Sequence, residues 1–316
     1  MATTDFVAAQ KVNRSNTWLL LVALTAVAAA TGYVIGWALE GEATDAIPLV
    51  SVAGIVFAAT MALASIVWSG VALAAGDRIV LALAGAHEIA KDDAPQLYNV
   101  VEEMAIAAGQ PMPRIKILET DALNAFATGS RRDNGTIVVT RGLLATLNRE
   151  ELQGVVAHEM AHLANLDTRY MVVVGVTVGL IALVCDALLR AMRWGSSGRS
   201  DSSDRKGGGA GLLVVLLIVV AVFAPLAAKA VQMAVSRQRE YLADATSVEF
   251  TRNPGGLISA LQKLADKAGP FPGVSRATQH LFIVNPVQTF TARTPALLAT
   301  HPDTADRIAR LRNLGA

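Results

Sequence analysis

Four long apolar stretches dominate the pattern of hydrophobic and polar positions along this chain of 316 residues. About 20 apolar residues at a rise of 1.5 Å cross a hydrocarbon core of roughly 30 Å, so each stretch is long enough, or nearly so, to form a transmembrane helix. The pattern therefore predicts a mainly α-helical integral membrane protein with about four transmembrane helices. The stretches cover approximately residues 17–39, 47–75, 170–189 and 212–234.

The first two stretches predict an N-terminal transmembrane hairpin within residues 1–76. Lys11 and Arg14 precede the hairpin and Arg78 follows it, whereas the turn at 40–46 carries three acidic residues and no Lys or Arg. Because positive charge favours the cytoplasmic side, both ends of the hairpin are expected in the cytoplasm. The first stretch is longer than a usual signal-peptide core and runs almost directly into the second, which favours an uncleaved hairpin.

The third and fourth stretches form a second hydrophobic segment, residues 170–235, for which two arrangements stay open. If both stretches cross the membrane, the last segment, 236–316, returns to the cytoplasmic side. The loop that connects them has a basic excess that itself favours the cytoplasm, so a shallow interfacial hairpin is the alternative. The part of this loop at 195–211 is rich in Ser and Gly and is expected to be flexible.

The polar segments, 77–169 and 236–316, predict an α+β region with a small β-sheet. In these segments, stretches with apolar residues at helical spacing alternate with short runs of residues that favour β-strands. The tripeptide Asp133-Asn134-Gly135 predicts a hairpin turn between the last two strands, because Asn and Gly tolerate positive φ. The predicted helices cover 93–109, 256–268 and 304–314, and the predicted strands cover 114–119, 124–128 and 136–140.

One further helix is predicted from Asn148, a suitable N-cap, to about residue 163, and it carries the motif His158-Glu159-Met160-Ala161-His162. Residues four apart lie on one face of a helix, so both imidazoles can bind one zinc ion, and Glu159 is placed to activate water. The alternative is a solvated helix face with an incidental pair of histidines. Apolar residues elsewhere on this helix favour a packed helix instead.

Composition narrows the possible chemistry. The chain is 53% hydrophobic and 17% charged with a net charge of +1, and only 5% of its residues are aromatic. It has no basic stripe and no stacking platform, so the sequence predicts no nucleic-acid partner. The single cysteine, Cys185, lies in the third apolar stretch, which excludes a disulfide framework and a thiolate zinc cluster. A metal site must therefore use histidines and carboxylates.

The best candidate for a third zinc ligand is Glu240, directly after the fourth apolar stretch. A catalytic zinc ion usually has three protein ligands and one open position. Asp244 lies one helical turn beyond Glu240 and could accept a hydrogen bond from the outer nitrogen of a ligand histidine. Because this segment and the histidine helix both adjoin apolar stretches, they can meet at the membrane surface.

A set of short motifs matches a known family in order and spacing: residues 124–129, 142–144, 157–162, Ser236, Arg237, Glu240, Ala243, Asp244, His301, Pro302 and Arg307. With these residues, and over nearly its whole length, the chain resembles the HtpX-type membrane zinc metalloproteases, gluzincin relatives of the CAAX prenyl endopeptidases. The resemblance implies that segments 77–169 and 236–316 form a zincin-type catalytic domain. In this domain His158, His162 and Glu240 would bind one Zn²⁺ ion and Glu159 would be the general base.

The resemblance also implies a substrate edge and further site residues. The strand that contains Asn124, Ala125 and Phe126 would lie along the cleft, where an exposed edge would pair with an extended substrate. His301 and Arg307 are candidates for oxyanion stabilisation and for organising the site. For His301 the alternative is a structural His-Pro element at a helix start.

The function implied is cleavage of misfolded or membrane proteins at the cytoplasmic face of a bacterial inner membrane, in stress response and membrane-protein quality control. The alternative is a zinc-containing membrane scaffold or chaperone-like binder without proteolysis, although structural zinc is usually enclosed by four protein ligands. A transporter is disfavoured, because the apolar stretches contain few ionisable residues. The partners expected are protein substrates and the lipid bilayer, and no sequence feature indicates an oligomeric state.

Overall fold

The computed structural model describes residues 6–44, 50–177, 237–266 and 304–314. Most of the predicted second hydrophobic segment, including the loop at 195–211, lies outside the described residues. His301 lies outside them as well. The boundaries of the four predicted segments and the crossing of the second segment therefore stay predictions.

Two long helices, α1 (Phe6–Thr44) and α2 (Val52–Ala84), cover the segment for which the sequence predicts an N-terminal hairpin. Both are long and apolar enough to cross a membrane, with a mean hydropathy of 2.1 over Lys11–Trp37 and of 2.0 over Val52–Ala84. The helix α2 continues past the predicted end of the hairpin, because residues 79–84 are again apolar helix formers.

The described residues divide into two compact units. One unit comprises residues 18–71 together with residue 177, and thus holds most of α1 and α2. The other comprises residues 6–17 and 72–176 and all described residues from 237 onward. The second unit contains the β-sheet and every candidate site residue that the structure describes.

A four-stranded mixed sheet confirms the predicted small sheet. Its order is β1-β2-β4-β3, with β2 parallel to β4 and the other neighbours antiparallel. The sequence did not indicate β1, a short exposed strand that pairs His87 with Ile117. The strands are β1 (His87–Glu88), β2 (Arg114–Leu118), β3 (Ala125–Thr128) and β4 (Thr136–Thr140).

The hairpin between β3 and β4 forms as predicted, but not for the predicted reason. Its link spans residues 129–135, and the positive φ falls at Gly129, at 151°, rather than at Asn134 or Gly135. Asn134 instead stabilises the link through its side chain, since its Oδ1 accepts hydrogen bonds from the backbone N–H groups of Ser130 and Arg131. The role of Asn134 is thus a side-chain cap of the link.

The other described helices are α3 (Pro95–Ala108), α4 (Arg141–Thr146), α5 (Arg149–Ala164), α6 (helical over 167–177), α7 (Arg237–Thr251), α8 (Pro254–Asp266) and α9 (Thr304–Leu314). A 3₁₀ turn, Lys91–Asp93, precedes α3. The predicted helix at 93–109 is α3, which ends at Gly109 with a φ of 58°. The predicted helices at 256–268 and 304–314 correspond to α8 and α9.

The helix α5 is the centre of this unit and packs against α3, α7, α8 and β3. It begins with the predicted capping box, in which Asn148 and Glu151 each accept the backbone N–H of the other. Lys263 and Ser259 of α8 also donate to the carboxylate of Glu151, at 2.7 and 2.6 Å. Thirteen of the sixteen residues of α5 are buried, which excludes a solvated helix face.

Candidate metal centre

Three predicted ligands come together between α5 and α7. His158 and His162 lie one turn apart on α5, and Glu240 lies in the first turn of α7. All three side chains are buried, and one ligand atom from each lies within 4.8 Å of the others. The structure thus assembles the two-histidine, one-carboxylate set that the sequence predicts.

The separations between these ligand atoms fit a zinc ion. The Nε2 atoms of His158 and His162 are 3.2 Å apart, and the nearest carboxylate oxygens of Glu240 lie 3.7 and 3.6 Å from them. A tetrahedral zinc ion with bonds of about 2.0–2.1 Å separates its ligand atoms by about 3.3–3.4 Å. Two imidazoles and a carboxylate are also a donor set that catalytic zinc sites use.

Asp244 contacts the outer ring nitrogen of His158, and Arg307 donates hydrogen bonds to Asp244 in turn. The Oδ1 atom of Asp244 lies 3.0 Å from Nδ1 of His158, which leaves Nε2 directed at Glu240 and His162. Arg307 of α9 donates to both oxygens of Asp244, from Nε at 2.9 Å and from Nη2 at 2.7 Å. Its Nη1 is 3.6 Å from Glu240, so Arg307 contacts both carboxylates of α7 at this site.

A second carboxylate, Asp167, orients His162 in the same way and was missed by the sequence analysis. Its Oδ2 lies 3.0 Å from Nδ1 of His162. The Nδ2 group of Asn13, from the first part of α1, donates to Oδ1 of Asp167 at 2.6 Å and to the carbonyl of Asn165 at 3.0 Å. Asn13 and Asp167 are polar residues that lie shortly before the first and third apolar stretches, and this position was the only sequence signal that could have indicated them.

Glu159, the predicted general base, is 3% exposed. Burial raises the pKa of Glu159 to about 7, against the opposing effect of His162 and of a hydrogen bond from the backbone of Ala127. This contact brings the middle of β3 beside the carboxylate. A carboxyl group with a pKa near neutrality can both accept and return a proton at neutral pH.

The two histidines differ in their electrostatic surroundings. Burial, reinforced by Arg307, lowers the pKa of His158. Burial also favours the neutral form of His162, but the hydrogen bond to Asp167 and the charge of Glu240 raise its pKa to about 9. For Asp244, burial is outweighed by Arg307 and His158, which lower its pKa to about 2. Asp244 and Asp167 thus each favour the form of the neighbouring histidine in which Nδ1 carries a proton and donates a hydrogen bond to the carboxylate.

The predicted substrate edge is placed only in part as expected. Asn124, Ala125 and Phe126 do lie at or beside β3, which is an edge strand of the sheet. Their exposed fractions are 3, 1 and 1%, so the strand is buried in this structure rather than exposed, and its role in substrate binding stays a prediction. The tight packing of β3 against α5 contributes to this burial.

Comparisons with known proteins agree with this geometry. Residues 91–315 match the family model described as Peptidase family M48. Over 96% of its length the chain is similar to proteins named Protease HtpX homolog, with 40% identity to that of Thermoanaerobacter pseudethanolicus, 37% to that of Streptococcus gordonii and 40% to that of Streptococcus agalactiae serotype III. It covers 96, 97 and 97% of these relatives, respectively.

A solved structure, titled as the crystal structure of S. mikatae Ste24p, matches with 17% identity and a TM-score of 0.48. The match covers 96% of this chain and 66% of that one.

Proposed function

Since the chain belongs to peptidase family M48, we propose that it is a membrane-embedded zinc metalloendopeptidase that hydrolyses peptide bonds of membrane or membrane-associated proteins. The observation that carries the proposal is the buried ligand triangle of His158, His162 and Glu240 with the carboxylate of Glu159 beside it. A structural zinc site would be expected to have a fourth protein ligand and would not need Glu159.

When bound, zinc would polarise the substrate carbonyl and lower the pKa of water toward neutrality. Glu159 accepts the proton from water as the water oxygen attacks the carbonyl carbon. It then returns this proton to the amide nitrogen as the C–N bond breaks, so that one carboxylate serves as base and acid in turn. A Glu159 pKa near 7 suits both steps.

Arg307 and His301 have different proposed roles. Arg307 is a positioning residue, because its guanidinium group is engaged by Asp244 on one side and by Glu240 on the other. His301 is retained as the candidate donor to the developing oxyanion, a role supported by the family resemblance alone.

The substrate is proposed to bind as an extended segment along β3. The hydrogen bond between the Ala127 backbone and Glu159 supports this proposal, and pairing through backbone hydrogen bonds tolerates many sequences. Because β3 is buried here, binding requires that its edge become accessible. Such sequence tolerance suits quality control of misfolded membrane proteins.

The proposed location is a bacterial inner membrane, with the metal centre at the cytoplasmic face. The two apolar helices α1 and α2 support membrane insertion, and the basic residues at both ends of their hairpin support this orientation. A total of four transmembrane helices rests on the length of the third and fourth apolar stretches.

The change Glu159→Gln tests the enzymatic assignment. It keeps the shape of the side chain but removes the base, so proteolysis of a membrane protein substrate by the purified enzyme should fall by about 10²–10⁴-fold. The zinc content, measured by mass spectrometry, should stay at the wild-type value, because Glu159 is not one of the three ligands.

The matched control is Glu150→Gln, the same chemical change at an exposed position of the same helix, and it should leave the rate unchanged. Wild-type rates in Glu159→Gln would contradict the proposed mechanism. A zinc-loaded wild-type protein that cleaves no substrate would favour the scaffold alternative.

A further inference from the structure

A separate cavity of about 400 Å³ lies beside the last turns of α2. Most of its lining side chains are charged, in contrast to the apolar core around α5. The charged residues of the lining are Asp77, Arg78, Arg114, Arg131, Asp133 and Arg169. Four guanidinium groups against two carboxylates make the cavity strongly attractive to an anion.

Two of the four arginines have no carboxylate partner within the described part of the chain. Arg114 lies 3.9 Å from Asp77, and Arg131 lies 3.1 Å from Asp133. Arg78 forms no ion pair among the described residues, and the same is true of Arg169, whose Nε is buried without a hydrogen-bond partner. A buried donor without a partner is costly, and a bound anion would satisfy it.

The cavity has a fixed wall. Asn134 accepts the backbone N–H groups of Ser130 and Arg131 at 3.0 and 2.8 Å, which shapes the link between β3 and β4. Its Nδ2 group also donates to Asp77 of α2 at 3.4 Å. The link that carries Arg131 is thus tied to the helix beside it.

The position of the cavity along α2 indicates the kind of anion. Leu73 and Ala74, from the last turns of the long apolar stretch, line the cavity together with the charged residues. Asp77 and Arg78 follow three and four residues after Ala74 and are the first charged residues of α2. In a membrane-spanning helix, this transition marks the level at which the hydrocarbon core gives way to lipid headgroups.

We propose that this cavity binds the phosphate group of an anionic phospholipid, with Arg78 and Arg169 as the principal donors. Arginine binds phosphate oxygens through paired N–H groups, and basic pockets at the cytoplasmic membrane surface are suited to acidic headgroups. The apolar residues Leu73 and Ala74 would lie toward the acyl chains. This site is independent of the zinc chemistry, since it shares no residue with the metal centre.

The test measures lipid binding to the full-length protein by native mass spectrometry and by titration in nanodiscs. Phosphatidylglycerol should bind more tightly than zwitterionic phosphatidylcholine. Arg78→Gln and Arg169→Gln should each weaken phosphatidylglycerol binding by about tenfold, as expected for loss of a charge-assisted hydrogen bond. The matched control is Arg132→Gln, which removes the same charge from an exposed neighbour of Arg131 outside the cavity and should change the affinity less than twofold.

Each outcome decides the proposal. Equal binding of the two lipids, or an effect of Arg132→Gln as large as that of the cavity variants, would overturn it. Inorganic phosphate and glycerol 1-phosphate serve as soluble probes, and affinities equal to that of the lipid would assign the cavity to a free phosphate compound instead. Arg78 is exposed, so Arg78→Gln should fold normally, which an unchanged unfolding temperature would verify.

Discussion

At the scale of single residues, the two histidines of the proposed metal site each have a carboxylate at the outer ring nitrogen. Asp244 could be predicted, because it lies one turn from Glu240 on the same helix. Asp167 could not, because it lies beyond the end of α5, after a chain reversal at Leu166 that has a φ of 56°. A positive φ at leucine is uncommon, and no sequence pattern indicated it.

The contact of Asp167 with His162 predicts that the substitution Asp167→Asn weakens metal binding. Asp167 accepts hydrogen bonds from Asn13 and His162 on its two carboxylate oxygens. In Asp167→Asn only one oxygen remains to accept both, so the imidazole of His162 is no longer held in its orientation. Zinc affinity, measured by competition with a chelator, should fall by about 10–100-fold. Asn13→Ala should give a smaller loss, because Asn13 acts on His162 only through Asp167.

The control for Asn13→Ala is Thr17→Val, which alters a buried residue one turn further along α1 that does not contact Asp167. This control should retain the wild-type zinc affinity. Absorption spectra of the cobalt-substituted proteins add a readout that reports ligand geometry directly. Unchanged affinity and spectra in Asp167→Asn would show that Asp167 does not orient the ligand.

At the scale of elements, α5 and α8 approach so closely that glycine is required at their contact. A Cβ atom at Gly154 would lie 2.5 Å from the backbone nitrogen of Leu257, and one at Gly256 would lie 2.5 Å from the carbonyl oxygen of Glu150. Both obstacles are backbone atoms, which side-chain rotation cannot relieve. The helix that carries both histidines can therefore pack this closely only because residues 154 and 256 are glycines, which have no Cβ atom.

Gly154→Ala should displace α5 from α8 and thereby disturb the metal centre. The expected cost is about 1–3 kcal/mol, as for other overpacked sites, with a lower unfolding temperature and a reduced zinc content. Gly255→Ala is the matched control, since its Cβ would meet only the side chain of Asn253, at 3.1 Å. Equal stability of the two variants would contradict the proposed close contact.

The elements that could be predicted are those with a clear local pattern. The spacing of Leu97, Val100 and Met104 predicted α3, and the Asn148 cap predicted the start of α5. The strand β1 is only two residues long and has no pattern of its own; it forms because β2 offers a free edge. The link after β3 likewise depends on side-chain hydrogen bonds of Asn134, which the turn signal alone did not reveal.

At the scale of the whole molecule, the metal centre gathers residues from distant parts of the chain. The histidine motif is local and was found from spacing, whereas Arg307 was indicated only by the family resemblance. Asn13 and Asp167 are 154 positions apart, and their contact arises from the packing of α1 beside α6. Such contacts depend on tertiary structure, for which one sequence gives no direct signal.

The orientation of the whole molecule can be tested by labelling single cysteines in a Cys185→Ala background. The acidic residues at the C-terminal end of α1 and directly after it are expected outside the cytoplasm, and the region that contains the metal centre is expected within it. A membrane-impermeant maleimide should therefore label Ala43→Cys in intact spheroplasts, and Arg132→Cys only after the membrane is opened. Residue 132 is exposed, so a cysteine at this position should react with the maleimide once the membrane is opened. The reverse labelling pattern would place the metal centre on the outer face and contradict the proposed cytoplasmic site.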